Sequence, residues 1–460
     1  MNLGVILNRV FRIQSNPLFQ YVEDHLEAIQ QLYVIVPIEE MSDASEVKQK
    51  DYQDVVRGFI AQLHAYGITP YIVNYEYLGA LADELALSHV LIASDTMSYH
   101  HANYDFPHVK RAFQKRKIQT IGVRANHYFN PKSTLNRQGE PYKVFTSFYK
   151  ANRPHIHDRR VTRYEIESIR KVAATGENRT DFSFNNAQDM EAAARKHWGS
   201  FLQEDMTQYQ TLTDDITIAY VSGMSRYLAY GLMDIHEVLR DVLEGIEMEP
   251  TPYEAYLREL MFREFYYVLM VAYPETATQS FIEKYRDLPW SHHQASFEAW
   301  KQGETGYPII DAAMKRLQRT GQMHNRLRMV VAQFLTKHLF IDWTWGEMYF
   351  KEQLVDYDNA SNVHGWQWSA STGTDAVPYF RMFNPIRQSE RFDAKGELIK
   401  SELPLFENVP VKYLHDPTKN RQVLQEHYNI VIGRDYPETI VDHKASRAYV
   451  MAVFKGERDI

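Results

Sequence analysis

The sequence predicts an N-terminal α/β domain built on a parallel sheet, followed by a linker and a larger all-helical domain. Three observations predict it. Short apolar runs alternate with helical patterns over residues 1–125. A turn-rich stretch of mixed charge occupies 126–190. From 191 to 460 the patterns are helical nearly throughout. Strands separated by helices imply βαβ units, because parallel neighbours need a crossover connection.

The candidate strands are "LGVILN" (3–8), "LYVIVP" (32–37), "PYIVN" (70–74), "HVLIAS" (89–94) and "IQTIGV" (118–123). Between the second and third lies the helical pattern "DYQDVVRGFIAQLHAYG" (51–67), closed by Gly67. No glycine-rich phosphate fingerprint follows any strand. The topology is therefore Rossmann-like without a signature of ordinary dinucleotide binding. In the linker, "NPKSTLNRQGEPYKVF" and "HIHDRRVTRYE" carry turn formers and charges of both signs. In the helical part, "TPYEAYLRELMFREFYYVLMVAY" (251–273) and "YPIIDAAMKRLQRTG" (307–321) are the clearest helices. The second has Pro308 near its start and Gly321 at its close. No internal repeat or low-complexity tract appears.

At 460 residues the chain exceeds one ordinary domain and can bury a large core. Its 44% hydrophobic and 24% charged content is that of a globular protein. No run of eighteen apolar residues exists, so no membrane span is expected. The start, "MNLGVILNRV", lacks the pattern of a secretory signal. Zero cysteines exclude disulfides and thiolate chemistry, and a cytoplasmic protein is the expectation. The net charge of −8 argues against a generic polyanion binder, although it leaves room for a local basic groove.

Two stretches of the helical part are unusual. "TGQMHNRLRMVVAQFL" (320–335) places Asn325, Arg326, Arg328 and Met329 at one helix start. Arg328 and Met329 follow Asn325 by three and four residues and share its face. A solvated basic face is the plain alternative. "DYDNASN" (356–362) puts Asp356 and Asp358 just before "HGWQWSASTGTDA", which reads as a loop carrying Trp366 and Trp368. A carboxylate pair of this kind serves catalysis, metal binding or pairing with arginine. No denser ligand cluster and no His-x-x-x-His beside a carboxylate accompanies it, so no metal is expected. His292 and His293 read as ordinary polar residues.

The stretch "TGYPIIDAAMKRLQRTGQMHNRLRMVVAQFLTKHLFIDW", with "DYDNASNVHGWQWSASTGTDAVPYFRMFNP", resembles the flavin domain of the DNA photolyase/cryptochrome family. The likeness is dense over 255–393, with weaker matches at "FRIQSNPLF" (11–19), "GEPYKVFTSFYK" (139–150) and "RDYPETIVDHKASRAYVMAVF" (434–454). It implies non-covalent FAD in the helical domain and an antenna-type α/β domain, with an antenna chromophore of folate or flavin type. "MHNRLRM" is similar to the version found in class I photolyases acting on cyclobutane pyrimidine dimers. Relatives acting on (6-4) photoproducts carry a histidine-rich version.

The resemblance implies roles for particular residues. Asn362 takes the position facing the redox-active ring nitrogen of the flavin, where photolyases of this class have Asn and photoreceptor relatives tend to have Cys or Asp. An amide has donors and an acceptor but no titratable proton. Tyr209, Tyr256 and the segment Ser222, Gly223, Met224, Ser225 fall where the family holds FAD. The usual Thr-Ser-Arg-Leu-Ser is here "VSGMS" (221–225). Arg328 and Asp356 match a pair near the isoalloxazine ring, and Asp358 an acidic flavin contact. Glu259, Phe262, Asn325, Arg326, Met329, Trp368 and Arg381 fall on the substrate side. Trp368 is the expected stacking wall, Glu259 the hydrogen-bond partner of a base edge, and Arg326 and Arg381 the phosphate contacts. Phe262 and Gln322 replace a tryptophan and an aromatic residue usual in the family. Trp366, Trp343 and Trp290 match the triad that relays electrons to photoexcited flavin.

The implied function is light-driven repair of cyclobutane pyrimidine dimers in DNA, by electron transfer from excited reduced FAD to a lesion flipped out of the duplex. Base flipping by photolyases is general knowledge of such enzymes. The implied partner is damaged DNA, with no membrane, and a monomer is expected. A cryptochrome photoreceptor and a (6-4) photolyase are the alternatives. Asn362 and the absence of a long tail after "VDH" disfavour the first, and Met329 the second. A flavin-free nucleic-acid binder using aromatic stacking is a third.

Overall fold

Five apolar runs form one parallel sheet in the computed structural model, which describes residues 1–157, 162–184, 187–216 and 221–456. The strands are β1 (Asn2–Ile6), β2 (Gln31–Ile38), β3 (Tyr71–Asn74), β4 (His89–Ala93) and β5 (Gln119–Val123). Their order is β3-β2-β1-β4-β5, and every neighbouring pair is parallel. Leu3, Val5, Val34, Val36, Val90 and Leu91 are fully buried, as a sheet covered on both faces requires. The order reverses between β1 and β4, so their carboxyl ends flank a topological switch point.

The chain divides into two compact units that do not follow its linear order. The first comprises Met1–Gln210, Ser222–Ala277 and Asp356–Ala360. The second comprises Thr211–Val221, Thr278–Val355 and Ser361–Ile460.

In the first unit the helix Glu46–Ala65 starts on Ser45, whose side chain accepts the N–H of Lys48. It is longer than its sequence pattern at the N-terminal end, and Gly67 follows it at φ +75°. The turn-rich stretch 126–190 is more structured than its composition suggests. It holds the helices Phe145–Asn152 and Ile166–Val172. Beyond them it runs beside the sheet: Ile72 donates to Glu177 O at 2.9 Å, and Arg179 donates to Ile72 O at 2.9 Å. The segment thereby covers the edge of β3, which would otherwise present unpaired backbone. Residues 158–161 and 185–186 of that stretch lie outside the described residues.

At the end of β1, Arg9 and Glu39 form a fully buried bidentate pair, with Nη2–Oε2 at 2.8 Å and Nε–Oε1 at 3.3 Å. Asn8 Nδ2 and the N–H of Tyr99 donate to the same carboxylate. Burial opposes ionisation of Glu39, but Arg9 and these donors hold its carboxyl below the usual range.

The second unit is helical. Its long elements are Pro308–Thr320, Trp343–Gln353, Asn359–Ala370 (from Ser361 on) and His443–Lys455. Pro308 and Gly321 bracket the first as expected, Gly321 at φ +65°. Asp311 ties this unit together. Its carboxylate accepts Thr305 N–H (2.8 Å), Thr305 O–H (2.6 Å), Gly306 N–H (3.1 Å) and the Tyr436 hydroxyl.

The loop expected around Trp366 is instead the helix Asn359–Ala370. Its polar residues mislead because several of them are buried rather than at a loop surface. Gln367 is fully buried, accepting the N–H of Phe281 at 2.8 Å and donating to Gln279 O at 3.1 Å. Among the described residues, no helix is long and apolar enough to cross a membrane.

Arg9→Met should destabilise the protein by about 3–5 kcal/mol at neutral pH, because Glu39 is left charged and buried. The wild-type pair stabilises above the ordinary carboxylate range and loses this contribution as pH falls through the depressed value of Glu39. The gap between variant and wild type should therefore narrow in acid. Denaturant titrations at neutral and acid pH read both effects.

Candidate active site

In the first unit an aromatic wall carries a set of hydroxyl and backbone donors. Tyr209 packs edge-on against Tyr256 at 5.1 Å, and both are buried. Trp198 and Phe201 extend the wall at 5.5 and 5.7 Å from Tyr256. The Tyr256 hydroxyl donates to Ser222 Oγ at 2.9 Å, and Met224 N–H donates to the same oxygen at 3.3 Å. Gly223 follows at φ +62°, a left-handed conformation that favours glycine. His197 Nε2 lies 2.7 Å from Ser222 O and fixes the turn from outside. Ser225 Oγ donates to Asp356 Oδ2 at 2.7 Å. The structure thus brings Tyr209, Tyr256, Ser222, Gly223, Met224, Ser225 and Asp356 together. Met224 is buried, whereas Gly223 and Ser225 are exposed.

Asp358 accepts the Tyr104 hydroxyl at 2.9 Å. Glu259 is open to solvent by area yet has protein on most sides, and this burial pushes its carboxyl up against the opposing pull of Arg258. Phe262 stacks on Phe145 with centroids 3.4 Å apart and planes 9° from parallel. One face of that ring is therefore already covered. Arg258 lies 4.8 Å over the Phe145 ring.

In the second unit Asn325, Arg326, Arg328 and Met329 begin the helix Asn325–Gln333. Its cap is His324, which sequence reading passed over. The ring accepts Arg326 N–H at 3.1 Å through Nδ1, and Nε2 donates to Thr213 O at 3.0 Å. Burial pulls His324 below its usual range, in keeping with a neutral ring that can accept. Asn325 is exposed, and Arg328 donates to Met323 O at 2.8 Å. The Arg326 guanidinium is engaged by Asp214 at 2.7 Å and lies 4.6 Å over the Phe392 ring. Arg381 is exposed and makes no ion pair among the described residues.

Asn362, Gly365 and Trp368 form a half-open stripe along one side of their helix, while Val363, His364, Trp366 and Gln367 are buried. The Asn362 amide nitrogen donates to Glu347 O (3.2 Å) and Glu347 Oε1 (3.1 Å). That leaves the amide oxygen as its presenting group. No atom lies within 4 Å of a Cβ placed on Gly365, so the stripe is bare between its two larger side chains.

Two of the three matched tryptophans are buried and the third is half-buried. Trp366 is 2% exposed and packs on Phe350 at 5.0 Å and Trp300 at 6.0 Å. Trp343 is 1% exposed, with Nε1 donating to Ser280 Oγ at 3.4 Å. Trp290 is half-buried against Phe340 at 4.8 Å. Trp343 and Trp290 line one cavity of about 310 Å³ with Ser280, Arg286, Asp287 and Asp342. Trp345 packs near Phe297 and His292, and His293 caps the helix Gln294–Gln302.

The turn of the first unit sets the exposed backbone of Gly223 and Ser225 beside an aromatic wall, with the hydroxyls of Tyr256 and Ser225 donating to Ser222 and Asp356. The stripe of the second unit suits a flat ligand, since glycine leaves its centre clear. These two sets of residues stand on an architecture of an N-terminal parallel-sheet domain followed by a mostly helical remainder.

Comparison with known proteins agrees. Residues 9–167 match the family described as DNA photolyase, and residues 256–456 match the FAD binding domain of DNA photolyase. The deoxyribodipyrimidine photo-lyase of Alkalihalophilus pseudofirmus is 39% identical over 342 residues, covering 71% of this chain and 70% of that one. A bacterial class III photolyase from Agrobacterium tumefaciens superposes with a TM-score of 0.86 at 26% identity, covering 99% of this chain and 97% of that one. A cryptochrome from Synechocystis shares the fold, with a TM-score of 0.85 at 21% identity and coverage of 98% and 99%. The chain belongs to the DNA photolyase family.

Gly346 faces the Trp366 ring so closely that an added Cβ would collide with it. Gly346→Ala should therefore cost about 1–3 kcal/mol by overpacking. Equilibrium denaturation and the tryptophan emission of the native state check this.

Proposed function

We propose that this protein repairs cyclobutane pyrimidine dimers in DNA with light, as the names of its relatives suggest for them. The observation that carries the reading is the helix Asn359–Ala370. One side presents Asn362, Gly365 and Trp368, and the other buries Trp366 among aromatic rings. Two tryptophans two residues apart are thus held in different surroundings, which suits two different tasks.

FAD, when bound, supplies a light-absorbing one-electron donor. Tyr256, Ser222 and the backbone of Gly223 to Ser225 would hold its phosphates, with Tyr209 behind them. Asp356, Asp358, Arg328 and Asn362 would meet its ring system. Asn362 offers an acceptor oxygen and no titratable proton. Trp368 offers an apolar wall on which an extruded dimer can stack, and Glu259 a carboxyl for its base edge. Phe262, with one face on Phe145, adds only its other face and edge. Asn325 and Met329, at the start of their own helix, would add further substrate contacts. Arg381 is available to a DNA phosphate as it stands, whereas Arg326 has first to share its guanidinium with Asp214. Trp366, Trp343 and Trp290 would carry electrons inward from the half-buried Trp290. Residues 1–125 would form an antenna-type domain, 126–190 a linker and 191–460 the FAD- and DNA-binding region. A folate or flavin antenna chromophore, a monomeric state and a cytoplasmic location complete the proposal.

The reduced protein should restore a thymine-dimer oligonucleotide under blue light and leave a matched (6-4) oligonucleotide unchanged. A light-independent result, or repair of the (6-4) substrate alone, would overturn the reading. Trp366→Phe should abolish light-driven reduction of the bound oxidised flavin while sparing repair by chemically pre-reduced protein; unchanged photoreduction would break the relay assignment. Arg381→Ala should weaken DNA binding and reduce the slope of log affinity against log salt by about one.

A further inference from the structure

A buried chain of hydrogen bonds in the first unit leads away from Asp358. The Tyr104 hydroxyl donates to Asp358 Oδ2 at 2.9 Å and lies 2.9 Å from His127 Nε2. His127 Nδ1 lies 3.0 Å from Glu264 Oε1. Tyr104, His127 and Glu264 are each buried. The far end is anchored, because Glu264 Oε2 accepts the N–H groups of Tyr128 and Phe129 at 2.9 and 3.0 Å. The His127 ring is clamped by Tyr267, stacked at 3.7 Å and 8°. The charged and titratable groups facing this chain are Asp358, Glu264, Arg263, Tyr267, Arg124 and Asp95, the last through backbone N–H groups.

Counting donors gives a first arrangement of the protons, the one in which Tyr104 donates to Asp358. Tyr104 spends its single O–H on Asp358, so His127 Nε2 must carry the hydrogen between ring and phenol oxygen. Glu264 is held below its usual range by His127 and Arg263 against the effect of burial, so in this arrangement Nδ1 gives a hydrogen to Glu264, and Arg263 Nη1, 3.2 Å from the same ring nitrogen, spends its N–H groups on Glu264 Oε1 and Asn126 O. The same heavy atoms also accept a second arrangement. In it Asp358 is protonated and donates to Tyr104, and Tyr104 donates to an unprotonated His127 Nε2.

We propose that Tyr104 is a positioning residue that passes a proton between His127 and Asp358, so that Asp358 becomes neutral when negative charge is placed beside it. In the step, the Nε2–H bond of His127 breaks as an O–H bond forms on Tyr104. The proton already on Tyr104 leaves to Asp358 Oδ2. Two protons each cross one hydrogen bond, the four groups keep their total charge, and nothing is oxidised or reduced. Burial and Asp358 push the Tyr104 phenol well above its usual range, so no phenolate is stored and the two transfers are coupled. The placing of negative charge beside Asp358 rests on the reading of Asp358 as a flavin contact, given above.

Nitrogen NMR of histidine-labelled holoprotein tests the relay, with His127 assigned by substitution. In the wild type with oxidised FAD, both His127 nitrogens should read as protonated. Asp358→Asn, which places a neutral donor at the far end, should convert His127 to the singly protonated form without any flavin chemistry. In Tyr104→Phe, which keeps the ring packing against Tyr267, the same change at 358 should leave His127 unmoved. A His127 signal indifferent to Asp358→Asn, or a response that persists with Phe at 104, would overturn the relay. Reduction of bound FAD in the wild type should reproduce the conversion and add a protonated-carboxyl infrared band that Asp358→Asn removes. A relay intact by the first comparison with no response to reduction would instead defeat the flavin-contact reading of Asp358.

Discussion

Asp95 accepts three consecutive backbone N–H groups, those of Ala125, Asn126 and His127, at 2.8–3.0 Å. Glu264 accepts the next two, Tyr128 and Phe129. This contact, a buried carboxylate closed over successive amides, recurs at other turns of the chain. Glu191 holds Ile13 and Gln14, Asp311 holds Thr305 and Gly306, and Asp393 holds Leu398 and Ile399. An irregular segment in a dry interior leaves its N–H groups without partners, and each unmet group costs about 1–3 kcal/mol. A carboxylate satisfies several at once, since its two oxygens offer several acceptor sites. The residues after β5 are thereby held by two side chains, one just past β4 and the other on the helix Pro250–Ala272.

The candidate site inherits its rigidity from these anchors. His127 can stand edge to edge with Tyr104 only because Asp95 fixes its backbone and Glu264 its ring. Ser222 is held in the same manner from two sides, by the Tyr256 hydroxyl and by His197. In the second unit the stripe of Asn362, Gly365 and Trp368 depends on what is buried behind it. Gln367 pins the helix to the backbone of 279–281, and Trp366 fills the space that Gly346 leaves open. A side chain larger than hydrogen at 346 and an indole at 366 exclude one another.

Much of this was legible in the sequence, for reasons that differ by element. The five strands were legible because sheets covered on both faces demand continuous apolar runs, and turn formers end them. The helix over 308–320 was legible from Pro308 and Gly321, whose backbone preferences are local. The helix over 359–370 was not, because its pattern of small and polar residues follows from tertiary satisfaction rather than from an apolar face. The edge-covering segment 173–179 was hidden for the same reason: its backbone bonds leave no side-chain period. Among site residues, Asn362, Trp366 and Trp368 were carried by motif resemblance. Tyr104, His127 and Glu264 lie in three separate segments, and no spacing rule joins residues that meet only through the fold. His324 as a cap was locally readable, since a polar residue stands just before a helical run, but histidine is an uncommon choice there.

Buried titratable groups are treated in two ways. The first unit pairs them: Arg9 with Glu39, His127 with Glu264, Tyr104 with Asp358. In the second unit Glu402 is likewise paired with Arg316, but two cationic groups are instead pushed toward neutrality. Lys337 sits in a π-helical turn, 1% exposed, with no hydrogen-bond partner for Nζ among the described residues, and burial pushes its amine down to about 7. His338 beside it is pushed down to about 3, chiefly by burial and then by His443. An unpaired ammonium in such a place is costly, and losing the proton is the cheaper course. Trp300, Trp343 and Trp366 belong to this same unit and are almost wholly buried in it. Of the tryptophans matched to the electron relay, Trp366 and Trp343 are buried and Trp290 is half-buried.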